Sequence, residues 1–395
     1  MSIRRSIYNK VFILVCTLSF FIILSIFLLL LSNLFIEGSK NFIVYKIRLP
    51  IKISDYQDQL NSKDIISIIK DKTRQGLTKR GIDTSNVDIK NILNFNSLLD
   101  QNYKINKNQS NRLWVNVDKS LETYLKSEQK NLYINKSTTR LVQSLIDEKI
   151  IDSFYNFDFF KDNDSSDPQN AGIGQALKGS MYAILMAISI SFPLGLFTAV
   201  FVNFYVPQAW RKLLLAHIKN LASLPSVIYG VIGLYFFINI LQLPRSSTIV
   251  AALTLSLLAT PIIFVITSSA FDRVEKSQIE ASYAIGMSRF QVIFLQIIPQ
   301  SLSTIITGII LTVSRIFGET APLMMIGMIA FVSSSSKDVY EPSTTLPVQI
   351  YSWINNPDPL FVSKSSLGII CLLLIILILN LTASIFKKYL NQQRS

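Results

Sequence analysis

Two opposite charges four residues apart, Arg315 and Glu319, follow a long uncharged stretch and are the first candidates for chemistry. Residues at this spacing share one face of a helix and can form an ion pair. Arg315 lies 16 residues after Pro299, which is about 24 Å along a helix. If this helix crosses a membrane, Arg315 stands in the outer part of an apolar core about 30 Å thick. A charge at that depth indicates either a transport pathway or an ion pair that locks helices together.

The usual sets of catalytic residues are missing from the sequence. The single histidine, His217, lies in a predicted loop, and there is no Ser/His/Asp set, H-E-x-x-H or C-x-x-C pattern. The stretch from Gly174 to Gly179 approaches a phosphate-binding loop but lacks the Lys that follows the second Gly. The acidic residues in 162–167 lack the Gly and terminal Glu of a calcium loop and are typical of a solvated linker. We therefore expect no enzyme activity, no metal site and no cofactor bound by this chain.

The elements that must position Arg315 are apolar and long. Half of the 395 residues are hydrophobic and 16% are charged, against about 25% charged in soluble domains. Each of six charge-free windows exceeds the roughly 20 residues needed to span a bilayer. The first is too long for a secretory signal and ends without a cleavage pattern, so it predicts an uncleaved anchor. The windows are 11–36, 179–210, 220–244, 246–271, 290–314 and 365–386.

The distribution of basic residues predicts the orientation of these helices. Short loops that carry Lys and Arg remain in the cytoplasm, so six crossings with both termini inside fit the sequence. The net charge of +13 is therefore typical of a membrane protein, and nucleic-acid binding is excluded because no basic stripe with interleaved aromatics is present. The cytoplasmic segments would hold Arg4, Arg5, Lys10, Arg211, Lys212, Lys219, Arg273, Lys276, Arg289, Lys387, Lys388 and Arg394, and the short outer loops Arg245, Lys337 and Lys364.

A polar stretch over residues 37–172 contrasts with the rest of the chain. Apolar residues alternate with other residues over 43–53 and again over 113–117, which is the period of a strand with one buried face. Helical spacing appears at 65–69 and 141–150. The sequence thus predicts a small extracytoplasmic α+β domain, joined to the membrane by a linker at 153–169.

One predicted cytoplasmic segment combines Glu280, Ala281, Gly286 and Pro299 in the order and spacing E-A-x4-G-x12-P. This segment resembles the cytoplasmic coupling loop of ABC importer permeases, which reads E-A-A-x3-G-x9-I-x-L-P. Ile298 replaces the Leu, and Ser282 and Gln296 depart from the pattern. A short helix, a Gly turn and a second helix entering the membrane would present a knob to a soluble partner. The resemblance implies that the four matching residues contact an ATPase.

A second resemblance follows from R-x-x-G-E-T-A-P-L at 315–323, which is similar to the signature of PstA-type phosphate permeases. The stretch 220–230, N-L-A-S-L-P-S-V-I-Y-G, is similar to another segment of these permeases. The family implies that Arg315, Glu319 and Thr320 lie on the substrate path. Arg315 would supply positive charge and hydrogen-bond donors to phosphate, while Glu319 would hold it or exchange partners during gating. The structural ion pair stays open as the alternative.

The resemblance also implies the partners and the location. They are two copies of an ABC ATPase that uses ATP and Mg²⁺, a second phosphate permease subunit, an extracytoplasmic phosphate-binding protein and membrane lipid, in a bacterial plasma (inner) membrane. We expect an all-α polytopic fold of six transmembrane helices with the α+β insertion. Its parts would be a cytoplasmic N-terminus (1–10), helix one (11–36), the outer domain and linker (37–172), and a permease core of five helices (173–390) with the coupling loop at 272–299.

Three questions stay open at this point. A permease for another oxyanion, such as sulfate or molybdate, would share the Arg and Gly-Glu, whereas T-A-P-L at 320–323 favours phosphate. A membrane-anchored sensor that binds a ligand through 37–172 would need a cytoplasmic output domain, which the sequence lacks. The uncharged run 320–336 would place the basic C-terminus outside if it crossed, so we predict a partial or re-entrant segment there.

Overall fold

A computed structural model describes residues 2–49, 71, 74, 75, 78, 113–126, 142, 143, 145–147, 150–328 and 338–392. The chain divides into two compact units. One contains residues 1–159, 166–171 and 358–367, and the other contains 160–165, 172–357 and 368–395. The predicted helix at 65–69 and the strand residues beyond 49 lie outside the described residues.

The first unit begins with a long helix, α1 (Ser2–Asn41). Its apolar stretch is exposed on every side, and the 18-residue window that qualifies it as a membrane span is 0% buried. A helix that is apolar all round is stable in lipid, where its side chains need no protein partner. The first predicted window is therefore a single continuous helix.

A three-stranded antiparallel sheet follows, with β1 (Ile43–Leu49) between β2 (Leu113–Asn116) and β3 (Ile151–Tyr155). Strands were predicted at both alternating stretches, and both are present in the described residues. The register sets Ile47 opposite Val115 and also opposite Ile151. The alternation predicted one buried face, but Val44, on the other face, is also buried. The sheet is thus covered in part on both sides.

The sheet belongs with a short helix, α2 (Lys119–Lys126), and with the first residues of the last helix, α11 (Pro359–Gln392). The amino group of Lys364 in α11 is buried and donates to the carbonyl of Pro168 at 2.5 Å. The Ser363 hydroxyl donates to Glu37 Oε1 at 2.9 Å, and Asn41 Nδ2 donates to the Ser363 carbonyl at 3.0 Å. The end of α1 and the start of α11 are therefore hydrogen-bonded to each other.

The second unit consists of helices. They are α3 (Gly174–Phe204), α4 (Gln208–Ala222), α5 (Ser226–Gly233), α6 (Thr248–Phe271), α7 (Lys276–Ala284), α8 (Arg289–Phe317), α9 (Ala321–Met325), α10 (Leu346–Ile354) and the rest of α11. A π-helical stretch extends α5 through Leu234–Ile240, and another occupies Val292–Ile297 in α8.

The core of this unit forms where α3, α6 and α8 meet. Its cluster includes Val200, Phe264 and Ile293, all almost fully buried. Two glycines allow the helices to approach closely: a Cβ on Gly195 would lie 2.8 Å from Ile263 Cγ2, and one on Gly308 would lie 2.2 Å from Ile266 Cγ2. Small residues at helix contacts are typical of membrane bundles, whose packing depends on close contact rather than on water exclusion.

Five helices of the described residues are long and apolar enough to cross a membrane, namely α1, α3, α6, α8 and α11, and a sixth crossing results if the bent pair α4 and α5 counts as one. The all-helical membrane fold is thereby confirmed. The windows 179–210 and 220–244 were wrong in detail, because α3 ends at Phe204 and the second window contains a bend of 91° after Ala222. Pro225 precedes α5 as its N-cap instead of lying within a span.

The segment after α8 turns instead of continuing. Helix α9 has five residues, and Gly327 adopts φ +90° at the turn that follows it. Five helical residues cover about 8 Å, far less than the bilayer core. Residues 329–337 lie outside the described residues, so the predicted re-entrant segment stays a prediction over that part.

Candidate functional site

The predicted pathway residues lie in one turn at the end of α8. Arg315 Nε and Glu319 Oε1 are 4.0 Å apart, with 52% of the Arg315 side chain and 18% of the Glu319 side chain exposed. This separation permits attraction between the charges but exceeds the range of a hydrogen bond. Backbone bonds fix the turn, since Gly318 N donates to the Arg315 carbonyl at 3.2 Å.

Thr320 follows this turn and stands at the N-cap of α9. Its carbonyl accepts from Met324 N at 3.0 Å, while its side chain makes no capping bond. The Ser246 hydroxyl, from the loop before α6, donates to the Gly327 carbonyl beyond α9. The Ser246 bond therefore ties the C-terminal end of α9 to the loop before α6, while Arg315, Glu319 and Thr320 precede its N-terminal end in the chain.

The two stretches that resemble phosphate permeases meet in space. A Cβ on Gly230 in α5 would lie 2.6 Å from the Cα of Pro322 and 2.9 Å from the Cβ of Met325. Only glycine allows α5 and α9 to approach this closely. The neighbouring Tyr229 is buried, and its hydroxyl donates to the Leu221 carbonyl at 2.6 Å.

This arrangement leaves about half of the Arg315 side chain exposed. A half-exposed Arg with a carboxylate beyond hydrogen-bond range can direct its planar N–H groups towards a tetrahedral oxyanion. The spacing of Arg315 and Glu319 predicted that their side chains face each other, and the 4.0 Å separation agrees with this. The sequence reasoning missed the contact of Gly230 with Pro322, because the two are 92 positions apart and only the packing of α5 on α9 joins their segments.

The predicted coupling residues lie on a helix–turn–helix unit between α6 and α8. Glu280 and Ala281 are exposed on α7, Gly286 forms the turn with φ +85°, and Pro299 is exposed in α8. A hydrogen bond joins the two helices, because Gln300 Nε2 donates to Gln278 Oε1 at 2.7 Å. The helix, Gly turn and second helix expected from the sequence are thus present.

The surface of this unit is apolar at its tip. Ile285 is 79% exposed and Phe290 61% exposed, and the rings of Phe290 and Phe294 contact each other with centroids 4.4 Å apart and planes tilted by 31°. Ser282, a departure from the family pattern, is buried, and its hydroxyl donates to the Gln278 carbonyl at 2.8 Å. Exposed apolar side chains on a protruding loop are typical of a surface that another protein covers.

A polar junction at the base of this unit was missed by the sequence reasoning. Asn203 Oδ1 accepts from Arg211 Nη2 at 2.7 Å and from the Ser268 hydroxyl at 3.1 Å. Arg211 also reaches Asp272 Oδ1 at 3.3 Å, where the coupling loop begins. The residues come from α3, α4 and α6, so no periodic pattern could have linked them.

Comparison with known proteins identifies the family. A profile described as "binding-protein-dependent transport system inner membrane component" matches residues 191–395. A phosphate transport system permease protein PstA of Yersinia pestis is 31% identical over 220 residues, which are 54% of this chain and 72% of that protein. A probable ABC transporter permease protein of Bacillus subtilis, YqgI, is 30% identical over 58% of this chain and 82% of its own length.

For one further relative, the match covers only a small part of that protein's length. The PstA homolog of Mycoplasma pneumoniae is 35% identical over 184 residues, which cover 45% of this chain and 28% of that protein. Among solved structures, the MetNI methionine ABC transporter aligns with a TM-score of 0.41 at 16% identity, covering 55% of this chain and 94% of the matched one. A bacterial alginate ABC transporter aligns with a TM-score of 0.42 at 14% identity, covering 57% and 80%.

The profile covers more than half of the chain, and its matched region contains α5, α9 and the coupling unit. The named relatives are permease proteins, which are transport subunits and not enzymes, in agreement with the sequence prediction. The chain belongs to the inner-membrane components of binding-protein-dependent transport systems, as an ABC importer permease of the PstA type.

Proposed function

We propose that this permease imports inorganic phosphate and forms the translocation path with a second permease subunit. The observation that supports this most directly is the contact of Gly230 with Pro322, because it joins the two segments that resemble phosphate permeases around Arg315. The relatives described as phosphate transport system permeases agree with the proposal.

Arg315, Glu319 and Thr320 would form the anion-contacting part of the path. Arg315 attracts phosphate and donates hydrogen bonds to its oxygens, whereas Glu319 keeps the guanidinium oriented between transport events. The 4.0 Å separation of the pair favours this role over a structural lock, since a lock would be expected to make short, buried hydrogen bonds.

The coupling unit would dock on an ATPase that supplies the energy. Glu280, Ala281, Gly286 and Pro299 surround the exposed apolar tip, which offers a surface for a soluble partner. ATP binding by two ATPase copies would move this unit and open the path outward, and hydrolysis would reset it. ATP and Mg²⁺ remain with the ATPase, and this chain binds no cofactor.

Both termini of the chain would lie in the cytoplasm, and residues 37–172 would lie outside. The hydrogen bonds between Glu37 or Asn41 and Ser363 support this topology, because they hold the end of α1 and the start of α11 at one level. Two spans that meet in this antiparallel manner leave both termini on the same side. The basic residues near the chain termini favour the cytoplasm for that side. An extracytoplasmic binding protein would deliver the phosphate.

The test is reconstitution of the complex purified from the native membrane with its ATPase. Vesicles loaded with ATP and supplied with the copurifying binding protein should accumulate radiolabelled phosphate at a rate at least tenfold above that of sulfate or molybdate. Preferential uptake of sulfate or molybdate would assign a different oxyanion. Absence of an ATPase from the purified complex would overturn the importer proposal itself.

A further inference from the structure

Helix α4 (Gln208–Ala222) has a surface that the transport mechanism does not use. Three large apolar side chains on it are exposed, namely Trp210 by 63%, Leu213 by 47% and Leu221 by 48%. At 3.6 residues per turn these three lie within about 80° of the helix circumference and form one stripe. We call them the apolar stripe of α4. Exposed His217 lies within it.

The remaining two sides of α4 have different surroundings. Leu214, Leu215 and Ile218 pack against the core cluster of the second unit. Lys212 and Lys219 are exposed and lie on the third side, roughly 150° from the apolar stripe. Helix α4 therefore has one side that packs against the core of the second unit, one exposed apolar side and one exposed basic side.

The bend between α4 and α5 indicates what the apolar stripe faces. The axis of Gln208–Ala222 makes an angle of 91° with that of Ser226–Ile240. If the second helix crosses the bilayer along its normal, α4 lies in the plane of the membrane surface. A helix in this position buries its apolar side by about 5–10 Å into the boundary of headgroups and acyl chains.

We infer that α4 is an interfacial helix whose apolar stripe is inserted into the lipid monolayer, with Lys212 and Lys219 contacting anionic headgroups. Trp is enriched at this depth because its ring is apolar and its N–H is polar. Lys side chains reach outward along the helix to keep their charge in the headgroup region. This inference depends on α5 crossing the bilayer and is independent of which anion is transported.

Two adjacent positions provide a matched test. Leu213→Cys places a label on the apolar stripe, and Lys212→Cys places one on the basic side, in a chain whose Cys16 and Cys371 are replaced by Ala. The assembled complex, labelled with an environment-sensitive fluorophore, is reconstituted in vesicles of phosphatidylethanolamine and phosphatidylglycerol. Lipids spin-labelled on the upper acyl chain should quench the label at position 213 at least threefold more strongly than that at 212.

Equal quenching at the two positions would overturn the insertion of α4. A label at 213 that neither spin-labelled lipid nor aqueous iodide quenches would also overturn it, and would show that another subunit covers the stripe. Trp210→Cys serves as a second stripe position and should behave like 213.

The headgroup contact is tested separately. Spin-labelled phosphatidylglycerol should quench the label at 213 more than spin-labelled phosphatidylcholine does, by up to about fivefold for each lysine that contacts a headgroup. The double variant Lys212→Gln with Lys219→Gln should remove this preference and keep the insertion. If both spin-labelled lipids quench the label equally in the protein that retains Lys212 and Lys219, the proposed contact of these lysines with anionic headgroups is wrong.

Discussion

Gly230 and Pro322 are in backbone contact across α5 and α9, with 2.6 Å between the position of a Gly230 Cβ and the Cα of Pro322. The contact joins two segments separated by more than 90 positions. It also fixes α9 beside the turn that carries Arg315 and Glu319. Any side chain at Gly230 would have to displace backbone, which cannot move as a flexible side chain can.

Gly230→Ala is expected to destabilise the permease by about 1–3 kcal/mol, the usual cost of overpacking. The measurement is thermal unfolding of the purified complex in detergent. Gly318→Ala is the matched control for stability, because a Cβ there meets its nearest atoms at 3.8 Å. Equal midpoints for the two variants would show that α5 and α9 separate without cost.

Exchanging the charges of the pathway pair distinguishes transport from structure. The double variant Arg315→Glu with Glu319→Arg keeps an ion pair at the same helical spacing, and an exposed pair contributes at most about 1 kcal/mol. We expect the complex to assemble and hydrolyse ATP but phosphate uptake to fall at least tenfold, since a carboxylate would face the anion. Arg315→Lys, which keeps the charge and loses the planar fork, should retain more uptake than the exchange. Near-normal uptake in the exchanged variant would leave Arg315 a structural residue.

Substitutions at Gly286 can distinguish a role in ATPase docking from a role in the backbone geometry of the turn. Its φ of +85° favours glycine, yet the space around a Cβ is open. Asn adopts this conformation more readily than Val does. We expect Gly286→Asn and Gly286→Val each to lower the amount of phosphate transported per ATP hydrolysed several-fold, because both place a side chain on the proposed docking surface. Glu280→Lys should have the same effect, because it reverses a charge on that surface. A normal ratio for Asn together with a reduced one for Val would mean that Gly286 only shapes the turn.

Asn203 should contribute more to stability than Asp272, although both contact Arg211. Asn203 is partly buried and joins three helices, whereas the Asp272 side chain is 64% exposed. Asn203→Leu leaves Ser268 without its acceptor and Arg211 with Asp272 alone, and it should cost about 1–3 kcal/mol. Asp272→Asn should change stability by less than about 0.5 kcal/mol. Thermal unfolding of the two variants gives the comparison, and a reversed order would contradict it.

The proposed topology predicts opposite accessibility for two exposed acidic positions. Asp152→Cys in β3 should react with an impermeant thiol reagent on intact cells with an opened outer barrier, while Glu280→Cys on α7 should react only after lysis. Both are made in the chain without Cys16 and Cys371. The reverse pattern would invert the membrane orientation and exclude Glu280 from ATPase docking.

Most membrane helices could be predicted from the sequence, because an apolar stretch of about 20 residues without a charge is typical of a membrane span. The pair Arg315 and Glu319 was likewise predictable, since four residues separate them on one helix. The 91° bend after Ala222 was not predictable from charge, because the charge-free window 220–244 runs from the last residues of α4 into α5 without a break. The contacts of Gly230 with Pro322 and of Asn203 with Arg211 depend on how helices pack, and a single sequence carries no signal for such pairs.

The hydrogen bond between Glu37 and Ser363 also has a consequence for synthesis. Its two partners are 326 positions apart, and a ribosome adds about 5–20 residues per second. The end of the first span therefore waits on the order of 16–65 seconds before its partner exists. During that interval Glu37 and Asn41 must be satisfied by water or by another protein, and the mature junction can form only as the final span enters the bilayer.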